Sequence, residues 1–375
     1  MMDLSSYRDL FPVTESAIYL NHAAISPYSS RVSVALSKQI SARSSGSIDL
    51  YPVFLEERQK LKENYARLIN GRPADIALIP NTSTGLNWLA NGLRWNAGDR
   101  ILLVAGEFPS NVYPFLNLKR RGVEIDFADP SEGMIGIDDL AARIDKRTKI
   151  LSVSYVQFLN GYRIDPEDIG RLCRSRNIIF SVDGIQGVGA VPLDVRAAGI
   201  DFLANGGHKW LMGPMGCGFM YIKPELHERL EPAFAGWLSV KNSWDFLDYR
   251  LDFLDDAERY ELGTANFLGI AGARAASDLL VEVGPARIER HLLELGNYLI
   301  EAMETSGFVY TGSRDEKHRA GICSFRHERA KEIFDHLTDN KIIVSLREGV
   351  IRISPHFYNT RAELENLVRT IGKIL

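Results

Sequence analysis

Short apolar runs alternate with segments of helical periodicity from about residue 53 onward, and this alternation constrains the fold more than any other feature. The helical segment VFLEERQKLKENYARLI comes first, and PEDIGRLCRSR is a later example. The strand candidates are IALIP, RILLV, VEIDF, KILSVSY, IIFSV, DFLA and GFMYI. Strands that alternate with helices form βαβ units and a mostly parallel sheet. The pattern predicts an α/β fold with a mostly parallel seven-stranded sheet.

The pattern changes near residues 255 to 265. Two long helical stretches are predicted at about 265 to 283 and 285 to 305, followed by the strand candidates KIIVSL and VIRIS and a final helix. We therefore expect a large α/β domain over residues 16–262. Residues 1–15 and 263–375 are expected to form a smaller α+β domain. No Pro/Ser-rich linker separates them, so the two domains should pack closely.

Composition limits the partners of the chain. Its 375 residues are 45% hydrophobic and 25% charged, which is typical of a globular protein large enough for two domains. Basic and acidic residues number 44 and 48, for a formal net charge of -4, so no large field favours nucleic acid or an anionic membrane. A small metabolite is the expected partner.

Cysteine usage and the N-terminal residues predict the compartment. Cys173, Cys217 and Cys323 form no C-x-x-C pair, which argues against a disulfide framework and a zinc site. The first twenty residues lack a signal pattern, and no apolar run approaches the ~18 residues of a membrane span. We expect a cytoplasmic protein without a bound metal.

Two charged side chains are predicted at neighbouring strand ends, where ligands of open α/β sheets bind. Asp183 ends IIFSVD, and Lys209 follows DFLANGGH. The carboxylate could instead cap a helix, and the lysine could be a solvated surface residue. Glycines before Lys209 and the apolar residues Trp210, Leu211 and Met212 after it favour a desolvated amine, which is a candidate for Schiff-base chemistry.

Two further features follow strand candidates. Thr82 and Ser83 lie between IALIP and a helical segment, and hydroxyls with free N–H groups at a helix N-terminus bind phosphate; an ordinary N-cap is the alternative. Phe108 follows RILLV, where its ring could stack on a flat ligand or pack in the core. An amine, a carboxylate, a phosphate cradle and an aromatic platform together match the needs of pyridoxal phosphate.

The motifs that carry these residues resemble a known family. They are YLNHAAISP, TSTGLN, EFPSN, SVDGIQ, GGHKWLMGPMG and RISPHFYNT, and they extend from residue 19 to residue 360. In combination they resemble the class V aminotransferases, which are fold-type-I pyridoxal phosphate enzymes and include cysteine desulfurases and related lyases. The resemblance implies that Lys209 forms the Schiff base with the cofactor. Asp183 would hold the pyridine nitrogen, and Gln186 would donate to the ring oxygen.

The remaining roles are implied in the same way. Thr82, Ser83 and His208 resemble phosphate contacts, and Phe108 takes the place of the ring-stacking residue. Thr264, in ELGTAN, resembles the residue that reaches the phosphate of the neighbouring subunit, which implies a homodimer with active sites at its interface. Arg352 resembles the arginine that binds the substrate carboxylate through two N–H groups.

The sequence also departs from the family pattern. Gly206 replaces a serine that contacts phosphate in many relatives. Phe158 stands at the position of an asparagine near the cofactor, with Gln157 or Asn160 as substitutes if the register shifts. In desulfurases, a loop with the sulfur-accepting cysteine precedes the carboxylate-binding arginine. Here residues 347 to 349 run directly into Arg352, and no cysteine lies nearby. We predict that the protein does not form a persulfide.

The expected function is an aminotransferase-like reaction on a small α-amino acid. The alternatives within the family are β-elimination of a sulfur-containing amino acid, as in cysteine desulfurases and desulfhydrases, and epimerisation. Other enzyme classes lack their motifs: no G-x-G-x-x-G follows a strand, and neither G-x-S-x-G nor H-E-x-x-H occurs. A non-catalytic relative would be expected to lose the Schiff-base lysine, and Lys209 is present.

Overall fold

A computed structural model of the chain describes residues 4–46 and 48–375. Within these residues the β-strands are β1 (Ile18–Tyr19), β2 (Ile76–Ile79), β3 (Arg100–Val104), β4 (Glu124–Ala128), β5 (Thr148–Ser154), β6 (Ile179–Asp183), β7 (Phe202–Gly206), β8 (Gly218–Ile222), β9 (Val309–Tyr310), β10 (Cys323–Arg326), β11 (Ile342–Ile343), β12 (Ser345–Arg347) and β13 (Val350–Ile353).

The α-helices of the same residues are α1 (Ser30–Ser45), α2 (Tyr51–Leu68), α3 (Thr82–Gly92), α4 (Tyr113–Leu116), α5 (Ile137–Arg143), α6 (Pro166–Ser175), α7 (Pro224–His227), α8 (Phe267–Val283), α9 (Pro285–Thr305), α10 (Ala330–Asp339) and α11 (Arg361–Ile371). Short 3-10 helices lie at Leu4–Leu10, Pro12–Glu15, Pro73–Asp75, Pro109–Asn111, Asn117–Arg121, Ala257–Tyr260 and Glu316–His318. No helix of the described ranges is long and apolar enough to cross a membrane.

The central sheet has the strand order β2-β8-β7-β6-β5-β3-β4. Strand β8 is antiparallel to both of its neighbours, and every other adjacent pair is parallel. All residues of β6, β7 and β8 are buried, as expected for strands that are covered by helices on both faces. The predicted α/β fold with a seven-stranded, mostly parallel sheet is confirmed.

Side chains of successive strand residues enter different cores. In β5 and β6, Leu151 and Phe180 belong to one buried cluster, whereas Ile150 and Ile179 belong to another. This separation follows from the alternation of side chains along a strand. Each face of the sheet therefore has its own apolar layer.

A second, four-stranded antiparallel sheet has the order β12-β13-β10-β9 and shares a third apolar cluster with α9, α10 and α11. The strands β9 and β10 were not predicted, because they are short and lack a clear alternation. KIIVSL, predicted as one strand, forms β11 and β12. Leu20, which was predicted in the large domain, lies in this third cluster. Ile270 of α8, which was predicted in the small domain, lies in the core of the large sheet. The domain boundary at residue 262 stays a prediction.

Two buried histidines join the chain near β1 to the segment after β13. His22 Nδ1 donates to Ser354 O at 2.9 Å, and its Nε2 accepts from the Tyr358 hydroxyl at 2.9 Å. His356 lies 5.2 Å from His22 between ring centroids, and its Nε2 donates to Trp210 O at 3.1 Å. These contacts fix the backbone directly after Lys209.

We expect His356 to make stability depend on pH. Its Nδ1 accepts from Phe357 N at 2.8 Å, so only the neutral ring satisfies both contacts, and burial lowers its pKa to about 4. The unfolded chain, with a histidine pKa of about 6.5, binds the proton first as pH falls. The contribution of His356 to the free energy of unfolding should therefore decrease by about 3 kcal/mol between about pH 6.5 and about pH 4, in addition to any change from the buried His22. Urea unfolding across this range measures the decrease.

A His356→Asn variant is the matched control, because asparagine keeps an acceptor near the Nδ1 position but does not titrate. Its free energy of unfolding should vary less with pH than that of the wild type. An equal pH dependence in both proteins would contradict the assignment.

Candidate active site

The carboxyl ends of the parallel strands bring Asp183 and Lys209 to the same edge of the sheet. Asp183 is the last residue of β6 and pairs with Ser154 at the end of β5 and with Ala204 in β7. Lys209 follows the end of β7 by three residues. The sequence prediction that these two residues meet at one edge agrees with this register.

The backbone around Lys209 forms a tight turn that needs glycine. Gly207 N donates to Cys217 O at 2.9 Å, and a Cβ at Gly207 would lie only 2.1 Å from that oxygen. Gly213 N closes the turn on Gly207 O at 2.8 Å. The Ser26 hydroxyl donates to Lys209 O at 2.5 Å. These contacts fix the lysine backbone and leave its amine available.

The Lys209 side chain is desolvated, with 9% of its surface exposed. Nζ lies 5.5 Å from the Phe108 ring centroid, and no hydrogen bond or ion pair engages it within residues 4–46 and 48–375. Burial lowers its pKa; Asp183 opposes this effect, and the positive charges of Arg352 and Arg347 add to it. The surface alternative for Lys209 is wrong, because the side chain is buried.

Asp183 is 2% exposed, and its Oδ1 accepts from Ile185 N at 3.0 Å. Burial raises its pKa, and the nearby Glu107 carboxylate raises it further, whereas Lys209 lowers it. Residues 184 to 190 form turns rather than a helix. The alternative that Asp183 caps a helix is therefore wrong, and the carboxylate lies in the site.

Gln186 is held by two structural contacts. Its Nε2 donates to Ala23 O at 3.0 Å, and its Oε1 accepts from Trp210 Nε1 at 2.9 Å. An amide nitrogen carries two hydrogens, so one N–H remains for a ligand. The implied donor role of Gln186 is chemically available with its orientation already fixed.

Thr82 and Ser83 begin helix α3 beside β7. The cap of this helix is Asn81, whose side chain accepts from Thr84 N at 2.9 Å, so the alternative that Thr82 or Ser83 is the cap is wrong. Thr82 Oγ1 is buried and has no hydrogen-bond partner in the part of the chain that the structure describes. Such an atom needs a partner, and an oxyanion would supply it.

Helix α3 contacts the other elements of the site. Ser83 Oγ donates to Ser110 Oγ at 2.9 Å, which joins the helix to the loop of Phe108. His208 is half-buried, and burial and the Lys209 charge lower its pKa. A Cβ at Gly206 would lie 2.9 Å from Ile185 Cδ1, the end of a half-buried side chain that can move aside, so packing alone does not account for the glycine.

Phe108 and Phe158 form an aromatic pair above the amine. Their ring centroids are 5.3 Å apart in an edge-to-face arrangement. Phe108 is 41% exposed, so the core-packing alternative is wrong. Gln157 Nε2 donates to Glu107, and Asn160 contacts Gly133 O and Tyr162 N. Which of Gln157, Phe158 and Asn160 corresponds to the family asparagine stays a prediction.

Arg352 lies in β13 and is 2% exposed. Its Nη1 donates to Phe158 O at 2.6 Å, and its Nε donates to Ser345 Oγ at 3.2 Å. No carboxylate pairs with it among the described residues, and burial, followed by the Arg347 charge, lowers its pKa to about 10. A buried cation without an anion is unfavourable. Two of its five N–H groups are used, so three remain for a carboxylate.

A tight hairpin precedes Arg352. Arg347 at the end of β12 pairs with Val350 at the start of β13. Glu348 and Gly349 make the turn with φ values of 46° and 78°, as expected for a two-residue type I′ connection. This turn has no room for a cysteine-bearing loop. The three cysteines are buried elsewhere, and burial raises the pKa of each thiol to about 12.

Thr264 is not brought to Lys209 by contacts within one chain. It is exposed and lines a cavity of about 320 Å³ together with Thr84, Gly216 and Leu262.

Glu107 is a site residue that the sequence analysis missed. It is buried just beyond the carboxyl end of β3. The strand-end argument that selected Asp183 applies equally to Glu107 and could have found it.

Comparison with known proteins identifies the family. The family model described as aminotransferase class-V matches residues 18–367. The chain belongs to the class V aminotransferase family. It is therefore a pyridoxal-phosphate-dependent enzyme that acts on amino acids, as its motifs predicted.

Curated relatives in the family have different activities in their names. A probable cysteine desulfurase of Methanothermobacter thermautotrophicus is 30% identical over 98% of this chain and 96% of the relative. An uncharacterized aminotransferase, YcbU of Bacillus subtilis, is 26% identical over 98% and 96%. A kynureninase of Geobacillus thermodenitrificans is 25% identical over 99% and 91%.

Solved structures have the same fold. The apo cysteine desulfurase of Thermococcus onnurineus superposes with a TM-score of 0.91 at 26% identity, covering 100% of this chain and 98% of that one. A C-DES mutant with glycine linked to its pyridoxal phosphate gives 0.90 at 22% identity, covering 97% and 98%. Membership of the family alone leaves open which amino-acid reaction the chain catalyses.

We expect the cysteines to be inert in the folded protein, because only the thiolate reacts with alkylating agents. Iodoacetamide at about pH 8 should leave the mass of the native protein unchanged, whereas the unfolded protein should gain three adducts, one for each cysteine. Mass spectrometry of both samples makes the measurement. Rapid alkylation of one cysteine in the folded protein would show a reactive thiol and reopen persulfide chemistry.

Proposed function

We propose that the protein is an aminotransferase for a small α-amino acid, with Lys209 as the base that moves the substrate proton. The observation that carries the proposal is the buried amine of Lys209 beside the buried Asp183 carboxylate and near the unpaired Arg352. An α-amino acid has its amino group and its carboxylate on the same carbon. Arg352 lies near enough to Lys209 for its charge to lower the Lys209 pKa, so the two groups suit the two ends of one small ligand.

The residues present fit pyridoxal phosphate. The unpartnered Thr82 Oγ1 and the free N–H groups that begin α3 suit a phosphate, with Ser83 and His208 beside them. The exposed Phe108 ring suits the face of a pyridine, and Asp183 suits its protonated nitrogen. When bound, the cofactor supplies an electron sink for negative charge at the substrate Cα.

Each residue then has a defined task. Arg352 binds the substrate carboxylate through its remaining N–H groups. The Asp183 carboxylate would hold the protonated ring nitrogen, and Gln186 would donate its remaining N–H to the ring oxygen. Phe108 would cover one face of the ring and exclude water. Lys209 Nζ, whose pKa is lowered by burial, would accept the substrate Cα proton as the general base.

The hairpin at Glu348 and Gly349 supports transamination over persulfide formation. Transfer of sulfur to the protein needs a mobile thiolate near the substrate, and the three thiols are buried with raised pKa values. Transamination needs a base for the substrate proton but no thiol of the protein, and in our proposal Lys209 supplies that base.

We also propose a homodimer with active sites at its interface. Thr264 lies in an exposed segment, and a set of large apolar side chains nearby is also exposed: Phe234, Trp237, Trp244, Phe246, Leu247, Tyr249, Leu251 and Leu262. Three of these side chains, Trp237, Trp244 and Phe246, contact one another, and an exposed aromatic cluster of this kind is typical of an interface. A second copy would bury this patch and bring Thr264 to the partner's phosphate site.

We also propose a cytoplasmic location. The three cysteines are free thiols, as expected in a reducing compartment.

The Lys209→Ala variant tests the mechanism. Wild-type protein should show a visible cofactor band that amino acids convert persistently, and borohydride should attach the cofactor covalently. The variant should lose the covalent attachment and at least ~10³-fold in turnover, because it removes the base and the linkage. Lys60→Ala, at an exposed helix position, is the matched control and should behave like the wild type.

The same spectra separate the reactions after the amino acid is removed by gel filtration. Conversion that persists and yields a keto acid means transamination. Return of the original band with ammonia and a keto acid means elimination, and return with an inverted amino acid means epimerisation. Either of the last two outcomes would replace the proposed reaction, and undiminished activity of Lys209→Ala would reject the site.

The dimer is tested by sedimentation equilibrium. We expect the mass of two chains for the wild type and a shift toward one chain for Trp244→Glu, because a buried charge opposes association. Val309→Glu, at an exposed position of β9, is the control and should remain dimeric. A wild-type protein that is monomeric and fully active would contradict a shared active site.

A further inference from the structure

Glu107 is a buried carboxylate at the same sheet edge as Asp183 and Lys209. It follows β3, and the sheet order places β5 between β3 and the Asp183 strand β6. Its side chain is almost fully buried. A carboxylate in such a place is costly unless its oxygens accept hydrogen bonds.

The Glu107 carboxylate accepts its hydrogen bonds from uncharged donors of Ser154 and Gln157. Oε1 accepts from Ser154 N at 2.7 Å and from Gln157 Nε2 at 2.9 Å, and Oε2 accepts from the Ser154 hydroxyl. No lysine or arginine pairs with it within residues 4–46 and 48–375. Burial raises its pKa, and the Ser154 hydrogen bonds oppose that rise. Neutral donors, and not a cation, therefore stabilise the charged form of Glu107.

Ser154 connects Glu107 to Asp183. It is the residue of β5 directly opposite Asp183 in the parallel register, and Tyr155 N donates to Asp183 O at 2.9 Å. Glu107 thus contacts the residue opposite Asp183, and a negative charge on Glu107 makes the Asp183 carboxyl hold a proton more strongly. The same negative charge stabilises any cation that Asp183 contacts.

Glu107 also fixes the aromatic pair. Phe108 is the next residue in the chain, and Gln157, which donates to Glu107, precedes Phe158. Phe158 in turn accepts from Arg352 through its carbonyl oxygen. One carboxylate thus connects the ring platform, the carboxylate-binding arginine and the Asp183 strand.

We propose that Glu107 is a positioning residue that acts through Asp183 as a second negative charge of the active site and keeps positive charge on the bound cofactor. The inference rests on the proposed roles of Lys209 and Asp183. It differs from a packing role because it depends on the charge of Glu107 and not only on its shape.

Two substitutions separate charge from shape. Glu107→Gln keeps the size and removes the charge, whereas Glu107→Asp keeps the charge and shortens the side chain. The readout is the pH midpoint of the visible cofactor band of the holoenzyme, with cofactor content and the thermal midpoint recorded alongside. Loss of a negative charge disfavours the protonated, positive form. The midpoint should fall by about one pH unit or more in Glu107→Gln and stay near the wild type in Glu107→Asp.

An unchanged midpoint in Glu107→Gln, or an equal fall in Glu107→Asp, would overturn the inference. If Glu107→Gln loses its fold, the Ser154→Ala/Gln157→Leu variant replaces it. That variant removes two side-chain donors and lets Glu107 take up a proton, so the midpoint should fall, and no fall would overturn the inference. A protein without a Lys209-dependent band would instead reject the proposed function.

Discussion

Burial of charge at the carboxyl edge of one parallel sheet is the constraint on which the active site depends. Lys209, Asp183 and Glu107 are all withdrawn from water within a few residues of strand ends. In a low dielectric, charges that would be screened on the surface affect one another's protonation strongly. The cost of burying them is offset by backbone donors such as Ile185 N and Ser154 N, which the sheet register brings into place.

The second sheet makes its contribution through Arg352. The guanidinium has no carboxylate partner among the described residues, but Phe158 O and Ser345 Oγ hold it in one orientation. The neutral His22 and His356 join the segment after β13 to the turn of Lys209. The amine and the guanidinium therefore belong to different sheets but are tied together by buried hydrogen bonds. This connection explains how two units with separate apolar clusters can hold one small ligand.

Much of this arrangement could be predicted from the sequence, because strand ends are visible in the apolar pattern. Asp183, Lys209 and Phe108 follow apolar runs directly, and the glycines before Lys209 indicate a turn. The capping role of Asn81 was missed because Thr82 and Ser83 are equally good cap residues by type. Glu107 was missed because glutamate is mostly exposed in proteins, and its burial here depends on long-range contacts with Ser154 and Gln157.

Other contacts depend on packing that no local pattern encodes. The bond from Arg352 to Phe158 O joins residues of two different sheet regions through a backbone atom, so the side-chain type at position 158 does not reveal it. The partners of Gln186 likewise come from Ala23 and Trp210, which only the folded chain brings together. The short connection through Glu348 and Gly349 could be predicted, because the number of residues between Arg347 and Arg352 is given by the sequence.

The close approach of Gly206 to Ile185 has a consequence for how this chain can diverge from its relatives. A Cβ at position 206 would lie 2.9 Å from Ile185 Cδ1, which is the far end of a half-buried side chain. A change of the Ile185 rotamer moves that atom away at small cost. Packing therefore does not require glycine at position 206. A single substitution can exchange glycine for serine there without a second change in the core.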